Sequence, residues 1–197
     1  MARIGDSART SLKSILEALL LASGEPLSLE ILASVFTDEE RPSNTEISKS
    51  LEALSDDYAE RGLELKEVAS GFRIQVREDA NPWISRLWEE RPQRYSRALL
   101  ETLALIAYRQ PITRGDIEEV RGVSVRTNII RTLQEREWIR VVGHRDVPGK
   151  PALFGTTRVF LDYFNLASLD DLPSLAEIKD MGSIEPELEL ENTEGDA

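Results

Sequence analysis

SNTEISKSLEALSDDYAERGLELKEVASGFRIQV, the stretch from Ser43 to Val76, changes its hydrophobic period half-way along. Ser43 with Glu46 three residues later forms a capping box, in which each side chain satisfies a backbone N–H at the start of a helix. Ile47, Leu51, Leu54 and Tyr58 then recur every three or four residues and define one helical face. After Gly62 the period falls to two. Leu63 and Leu65 alternate with Glu64 and Lys66, Ser70-Gly71 makes a turn, and Phe72, Ile74 and Val76 alternate with Arg73 and Gln75. That pattern is a β-hairpin, so the stretch predicts a capped helix running into a hairpin.

Upstream, Leu12, Ile15, Leu16, Leu19 and Leu20 share one helical face that Gly24 ends. Pro26 sets a turn, and Ser28 is placed to cap a second short helix carrying Ile31, Leu32 and Val35. Three helices followed by a hairpin is the order of a winged helix. Residues 80–90, with Trp83, Ile84, Leu87 and Trp88, predict a further short helix after Pro82, and Arg91-Pro92 marks a break. Trp83 and Trp88 are five apart and cannot share a helical face, so one is expected inward and the other against a neighbour.

The second half repeats the plan. Leu99, Leu100, Leu103, Ile106 and Ala107 form a helical face, and Gln110-Pro111-Ile112-Thr113 reads as a turn. Thr113 with Asp116 caps a second helix that holds Ile117 and Val120 and ends at Gly122. Val125, Ile129, Ile130 and Leu133 mark a third helix. Trp138–Val142 and Ala152–Gly155 are the strands of a second wing, turned at Val147–Lys150. A last helix covers Thr157–Phe164, and Ser168 to Asp171 offers one more capping box. Ala22-Ser-Gly-Glu-Pro-Leu-Ser28 matches Ala107-Tyr-Arg-Gln-Pro-Ile-Thr113 at the same place in each half, a sign of tandem duplication.

The expected fold is therefore mainly α with small β wings (α+β). It comprises a flexible N-terminus (1–10), a winged-helix domain over 11–91, a second over 92–176 and an acidic disordered tail over 177–197. The tail holds eight acids against the single base Lys179, with no aromatic residue, a composition that stays solvated. The whole chain of 197 residues is 41% hydrophobic with a formal charge of −12. The first figure supports packed cores, and the second argues against a general nucleic-acid coat, since phosphate affinity needs clustered Lys and Arg. There are no cysteines, which removes disulfides and thiolate metal sites and suits a reducing cytoplasm. The apolar run Leu12–Ala22 carries Lys13 and Glu17 and is about half the ~20 residues that span a bilayer, so no membrane partner or signal peptide is expected.

Longer stretches carry a resemblance. Ala107-Tyr-Arg-Gln-Pro-Ile-Thr-Arg-Gly-Asp-Ile-Glu-Glu-Val-Arg-Gly-Val123, Gly143-His-Arg-Asp-Val-Pro-Gly-Lys-Pro-Ala-Leu-Phe-Gly-Thr-Thr157 and Phe160-Leu-Asp-Tyr-Phe-Asn-Leu-Ala-Ser-Leu-Asp-Asp-Leu-Pro-Ser-Leu175 closely resemble the signatures of the segregation and condensation protein B family. The similarity spans roughly residues 11–178 and is strongest from Ala98 to Leu175. The resemblance implies a homodimer formed largely through the N-terminal winged helices. It also implies C-terminal domains that grip a kleisin, segregation and condensation protein A, which bridges the heads of a Structural Maintenance of Chromosomes ATPase. ATP hydrolysis would lie in that other subunit, and the expected setting is the cytoplasm, at the nucleoid. The sequence departs from the family where many members carry Asn-Ser and Gly-Leu: here Ser124-Val125 opens the third helix and Glu137-Trp138 precedes the strand.

Residue chemistry favours binding over catalysis. The sole histidine, His144, sits just past a strand between Gly143 and Arg145 with no announced carboxylate or nucleophile. Glu118-Glu119 and Asp170-Asp171 are adjacent and point apart on a helix, which suits capping better than a shared proton. No catalytic, metal-ligating or cofactor-binding set is expected, and no cofactor. The partner-contacting residues expected are Tyr108, Pro111, Phe154, Tyr163, Phe164 and Leu166. The alternative is a tandem winged-helix transcription regulator with its third helix on DNA. Over residues 121–150 seven bases face three acids, and Arg121, Arg126, Arg131, Arg145 and Lys150 are the residues to make a weak contact. Arg126, Arg131 and Arg136 are five apart, which at about 100° per residue scatters them around the helix.

Overall fold

The computed structural model describes residues 11–87 and 95–174. Ser11 opens α1 (Leu12–Ser23) by accepting the Ser14 N–H, and Gly24 ends it in the left-handed conformation. Ser28 caps α2 (Leu29–Ser34), and the Ser43/Glu46 box caps α3 (Asn44–Asp57). Their apolar faces meet in one core of Leu16, Leu20, Leu32, Ile47, Leu51, Leu54 and Tyr58. Tyr58 lies at the edge of that core, where its hydroxyl donates to Glu17 at 2.6 Å. Burial, then the Glu17 carboxylate, push its phenol up to about 12. The hairpin of β1 (Leu63–Val68) and β2 (Gly71–Val76) pairs from Leu63 opposite Val76 to Val68 opposite Gly71. Leu63, Leu65, Phe72 and Ile74 pack against the core, as the period-two alternation predicts.

A 3-10 turn (Glu78–Ala80) leads into α4 (Asn81–Ile84). Pro82 lies inside the first turn of α4, not before it; a missing N–H costs nothing there. Trp83 is 66% exposed, so it is not the inward member of the tryptophan pair. Trp88, the expected break at Arg91-Pro92, residues 1–10 and the tail 177–197 all lie outside the described residues.

In the second half α5 (Arg97–Arg109) is capped by Ser96 and α6 (Arg114–Arg121) by the Thr113/Asp116 box, with Gly122 left-handed at its end. α7 (Thr127–Glu135), the wing of β4 (Ile139–His144) and β5 (Ala152–Thr156), and α8 (Arg158–Tyr163) follow, then a 3-10 turn at Leu169–Asp171 closed by the Ser168/Asp171 box. Leu103, Ile106, Ile117, Val125, Leu133, Trp138, Ile139 and Phe160 build a second, separate core.

Three local expectations are corrected. Ile112-Thr113 is not part of a turn but a short strand, β3, paired with β5 so that Ile112 stands opposite Phe154. A buried Ile112 needs partners for its backbone N–H and C=O, and the edge of the wing supplies them. The first half has the same device. Leu27 and Phe72 exchange N–H···O bonds of 2.9 Å each way. The repeated Pro-Leu-Ser and Pro-Ile-Thr sequences thus both mark a pairing with the wing, a single bridge in the first half and a two-residue strand in the second. Trp138 precedes β4 instead of opening it, and its N–H returns to the Leu133 carbonyl at 3.0 Å. Conversely, His144 is the last residue of β4 and not the first beyond it.

Candidate partner-binding groove

α5 carries two apolar stripes. Leu99, Leu103, Ile106 and Ala107 turn inward, whereas Leu100 is 42% exposed and begins a second row with Ala104 and Tyr108, one every four residues. α8 and the chain after it supply the facing wall. Phe160 anchors α8 in the core and Phe164 follows at the C-terminal end. Asn165 then adopts φ 59°, which turns the chain and brings Leu166 alongside. Asparagine suits that conformation better than most side chains. Beyond the Ser168/Asp171 box, Leu172 and Pro173 close one end, and the Tyr108 hydroxyl donates to the Pro173 carbonyl at 2.6 Å.

The result is a groove of about 270 Å³ lined by Leu100, Ala104, Tyr108, Phe164, Leu166 and Leu172, with Leu103, Ala107 and Phe160 beneath and Pro173 at the end. The alanines form its floor, since a larger side chain at either position would fill it. An almost purely apolar, open trough holds no reactive group. It can take an apolar row from another chain, as helix-in-groove and extended-peptide sites do. Beside it, an aromatic cluster stiffens the wall. Trp138, 2% exposed, meets Tyr95 at 5.2 Å, Tyr163 at 4.6 Å and Phe164 at 5.3 Å between ring centroids. Arg136 stacks over Tyr95 and Trp138. Tyr95 and Tyr163 share a hydrogen bond of 3.2 Å, which with burial raises the Tyr163 phenol above its ordinary value.

Of the residues expected to touch a partner, Tyr108, Phe164 and Leu166 line this groove. Tyr163 is half-exposed beside it, stacked on Trp138. Phe154 is 7% exposed and faces the core, so it cannot reach a partner. Its period-two position on β5, opposite Ile112, turns it inward. Pro111 is exposed, after a cis Gln110–Pro111 bond, and does not line the groove. Sequence reasoning assigned Leu100 to the core face and passed over Ala104. The signal was the Leu100-Ala104-Tyr108 spacing, a second stripe with a small residue at its centre.

The basic residues are largely paired. Arg145 grips Asp116 with both nitrogens at 2.9 and 2.7 Å. Arg145, then the Thr113 backbone and hydroxyl, hold that carboxyl well below the usual carboxylate range. Arg121 is only 11% exposed and turns inward to Glu101 at 2.9 Å, and Arg131 pairs with Glu135 at 2.7 Å. Arg126 and Lys150 are exposed. A DNA-reading surface would need these cations free, and carboxylates hold Arg121, Arg131 and Arg145. His144 is exposed on the wing. Glu118 accepts from Arg114 and the Val125 N–H, and Asp171 completes a cap, so the adjacent carboxylates act locally on their own elements. Among the described residues, no group of three or more His, Cys, Asp and Glu side chains could hold a metal ion. Nor is any described helix long and apolar enough to cross a membrane.

A family model described as segregation and condensation complex subunit ScpB matches residues 14–175. The chain belongs to the ScpB family. A segregation and condensation protein B homolog of Coxiella burnetii is 61% identical over 173 residues, covering 88% of this chain and 83% of that protein. Among solved structures, ScpB of Mycobacterium tuberculosis is 35% identical over 79% of this chain and 95% of its own, with a TM-score of 0.36. A crystal structure of a dimer of the ScpB N-terminal domain complexed with a ScpA peptide is 33% identical, covers 39% of this chain and 93% of that one, and has a TM-score of 0.35.

Proposed function

We propose that this ScpB-family chain is a non-enzymatic adaptor whose groove between α5, α8 and the Leu172-Pro173 segment seats a segment of the kleisin, segregation and condensation protein A. The kleisin in turn bridges the heads of the Structural Maintenance of Chromosomes ATPase, so that ATP hydrolysis lies elsewhere and this subunit shapes the ring during chromosome partition. The setting is the cytoplasm, at the nucleoid. Residues 11–91 serve dimerisation and residues 92–176 serve the kleisin. The observation that carries the reading is the apolar trough itself, on a chain of a family named for a multi-subunit complex. Burying such surface returns about 25 cal/mol per Å², set against the entropy of association, so a few well-filled anchors dominate the affinity.

Dimerisation rests on apolar side chains that the first half leaves in solvent: Leu21, Ile31 and Val35 on and after α1 and α2, and Trp83 and Leu87 beyond the wing. Single exposed apolar residues are ordinary, but large ones in such number on a small unit favour a covering partner.

Size exclusion of the purified chain mixed with purified kleisin tests the adaptor reading. Co-elution as one complex at micromolar concentration is expected, and two separate peaks would reject it. Light scattering of the chain alone should give twice the 22.2 kDa chain mass; a concentration-independent monomer would refute the dimer.

A further inference from the structure

The two halves meet through a small polar contact. Every extensively packed pair of helices and strands lies within one half or the other. Among the described residues, the first wing joins them by hydrogen bonds. Ala69 and Ser70 form the two-residue turn between β1 and β2, and their backbone N–H groups bond to the second half. The Ala69 N–H donates to the Leu166 carbonyl at 3.0 Å, and the Ser70 N–H donates to Asp162 Oδ1, also at 3.0 Å. The Ser70 hydroxyl donates to Asp162 Oδ2 at 2.6 Å. From β2, Arg73 donates to the Asp162 carbonyl at 3.0 Å and to the Asn165 side chain. Asp162, Asn165 and Leu166 flank or form the groove wall that carries Phe164.

We propose that Asp162 is a positioning residue that clasps the first wing onto this wall, so that docking of the two halves and occupancy of the groove favour one another. The physical basis is that the clasp fixes the chain between Asp162 and Leu166, the same stretch that sets Phe164 and Leu166 across from Leu100 and Ala104. Interfaces between domains of one chain are by default mobile unless large and apolar. A contact made of hydrogen bonds, two of them to a carboxylate, holds one arrangement through directional bonds. Undocking would release both residues of the turn and loosen the wall, and a ligand that needs the wall in place must then also favour the docked state. The coupling half of this proposal rests on the groove being the kleisin's seat; the clasp half does not.

The chain has no cysteine, so paired spin labels at Ser55→Cys on α3 and Gln134→Cys on α7 can report the distance between the halves in the full-length protein. Labelled chain is diluted in unlabelled chain so that only intrachain distances are read. Asp162→Ala should broaden a narrow distribution, lowering the docked-to-undocked ratio about tenfold, as expected for losing a charged hydrogen-bond partner. Asp162→Asn, whose carbonyl can still accept from the Ser70 N–H and whose amide can donate to the Ser70 hydroxyl, should restore the narrow form. Kleisin affinity, titrated with the same three proteins, should fall several-fold in Asp162→Ala and return in Asp162→Asn. An unchanged distribution in Asp162→Ala overturns the clasp, and a broadened one with unchanged kleisin affinity overturns the coupling. If wild type itself fails to bind kleisin, the groove reading fails, and the distances alone decide the clasp. Should Asp162→Ala not fold, Arg73→Ala breaks the contact from the other side and is judged by the same outcomes.

Discussion

Glu137 stands at φ 57° between α7 and β4, where the helix ends by returning the Trp138 N–H to Leu133. That left-handed conformation costs a side chain about 1–2 kcal/mol and costs glycine almost nothing. Glu137→Gly should therefore raise stability by about 0.5–1 kcal/mol, read as a higher urea midpoint at unchanged slope. The departure from a Gly-Leu pair was visible in the sequence; its meaning needed the backbone angle. Asp116 offers a second residue-scale test. Because Arg145 depresses its folded pKa below the unfolded value of about 3.9, the stability it contributes is fully present above that value, declines below it, and is lost as pH falls through the lower folded pKa. Arg145→Ala should lower the melting temperature at pH 7, and the difference from wild type should shrink below pH 4.

At the scale of elements, both wings are tied to the chain that enters the second helix of their half, the second through the strand β3 and the first through the single Leu27–Phe72 bridge. Gly71, at φ +133°, lies so close to Leu27 that an added Cβ would stand 2.2 Å from the Leu27 carbonyl oxygen. Gly71→Ala should break the Leu27–Phe72 bridge and cost about 2–4 kcal/mol through clash and strain together. Chemical denaturation measures the loss, and slowed hydrogen exchange at the Leu27 and Phe72 amides in wild type but not in the variant locates it. Most helices were legible in the sequence because they announce themselves twice, through a capping residue and through an apolar face, whereas α7 does so by its apolar face alone. Ser43/Glu46 and Thr113/Asp116 are the clearest cases. The β3 strand was not legible, because two residues carry no period and Pro111 beside them signals a turn. The groove was half legible. Its aromatic wall, Phe164 and Leu166, follows from position after the wing, but Leu100 differs from Leu99 only by the 100° that separates neighbours on a helix.

Among the described residues, the two cores share no apolar residue, and hydrogen bonds from the first wing join the halves. They should unfold as two cooperative units. Trp138→Ala removes the buried hub of the second core at a cost of about 3–5 kcal/mol, and calorimetry should then show one transition moved to lower temperature while the other stays in place. A single shared transition that moves as one would contradict the division. The same separation suits an adaptor, since each half can hold a different protein while the clasp keeps their orientation.

The central claim is that the trough on α5 is where another polypeptide sits, and Ala104→Glu tests it most directly. Ala104 is exposed on α5, so a glutamate there costs the helix little, yet it puts a charge in the middle of an apolar floor. Calorimetric titration of full-length kleisin into wild type and into Ala104→Glu should show at least a tenfold loss of affinity in the variant at an unchanged melting temperature. Equal affinity for the two proteins would place the kleisin elsewhere and contradict the account.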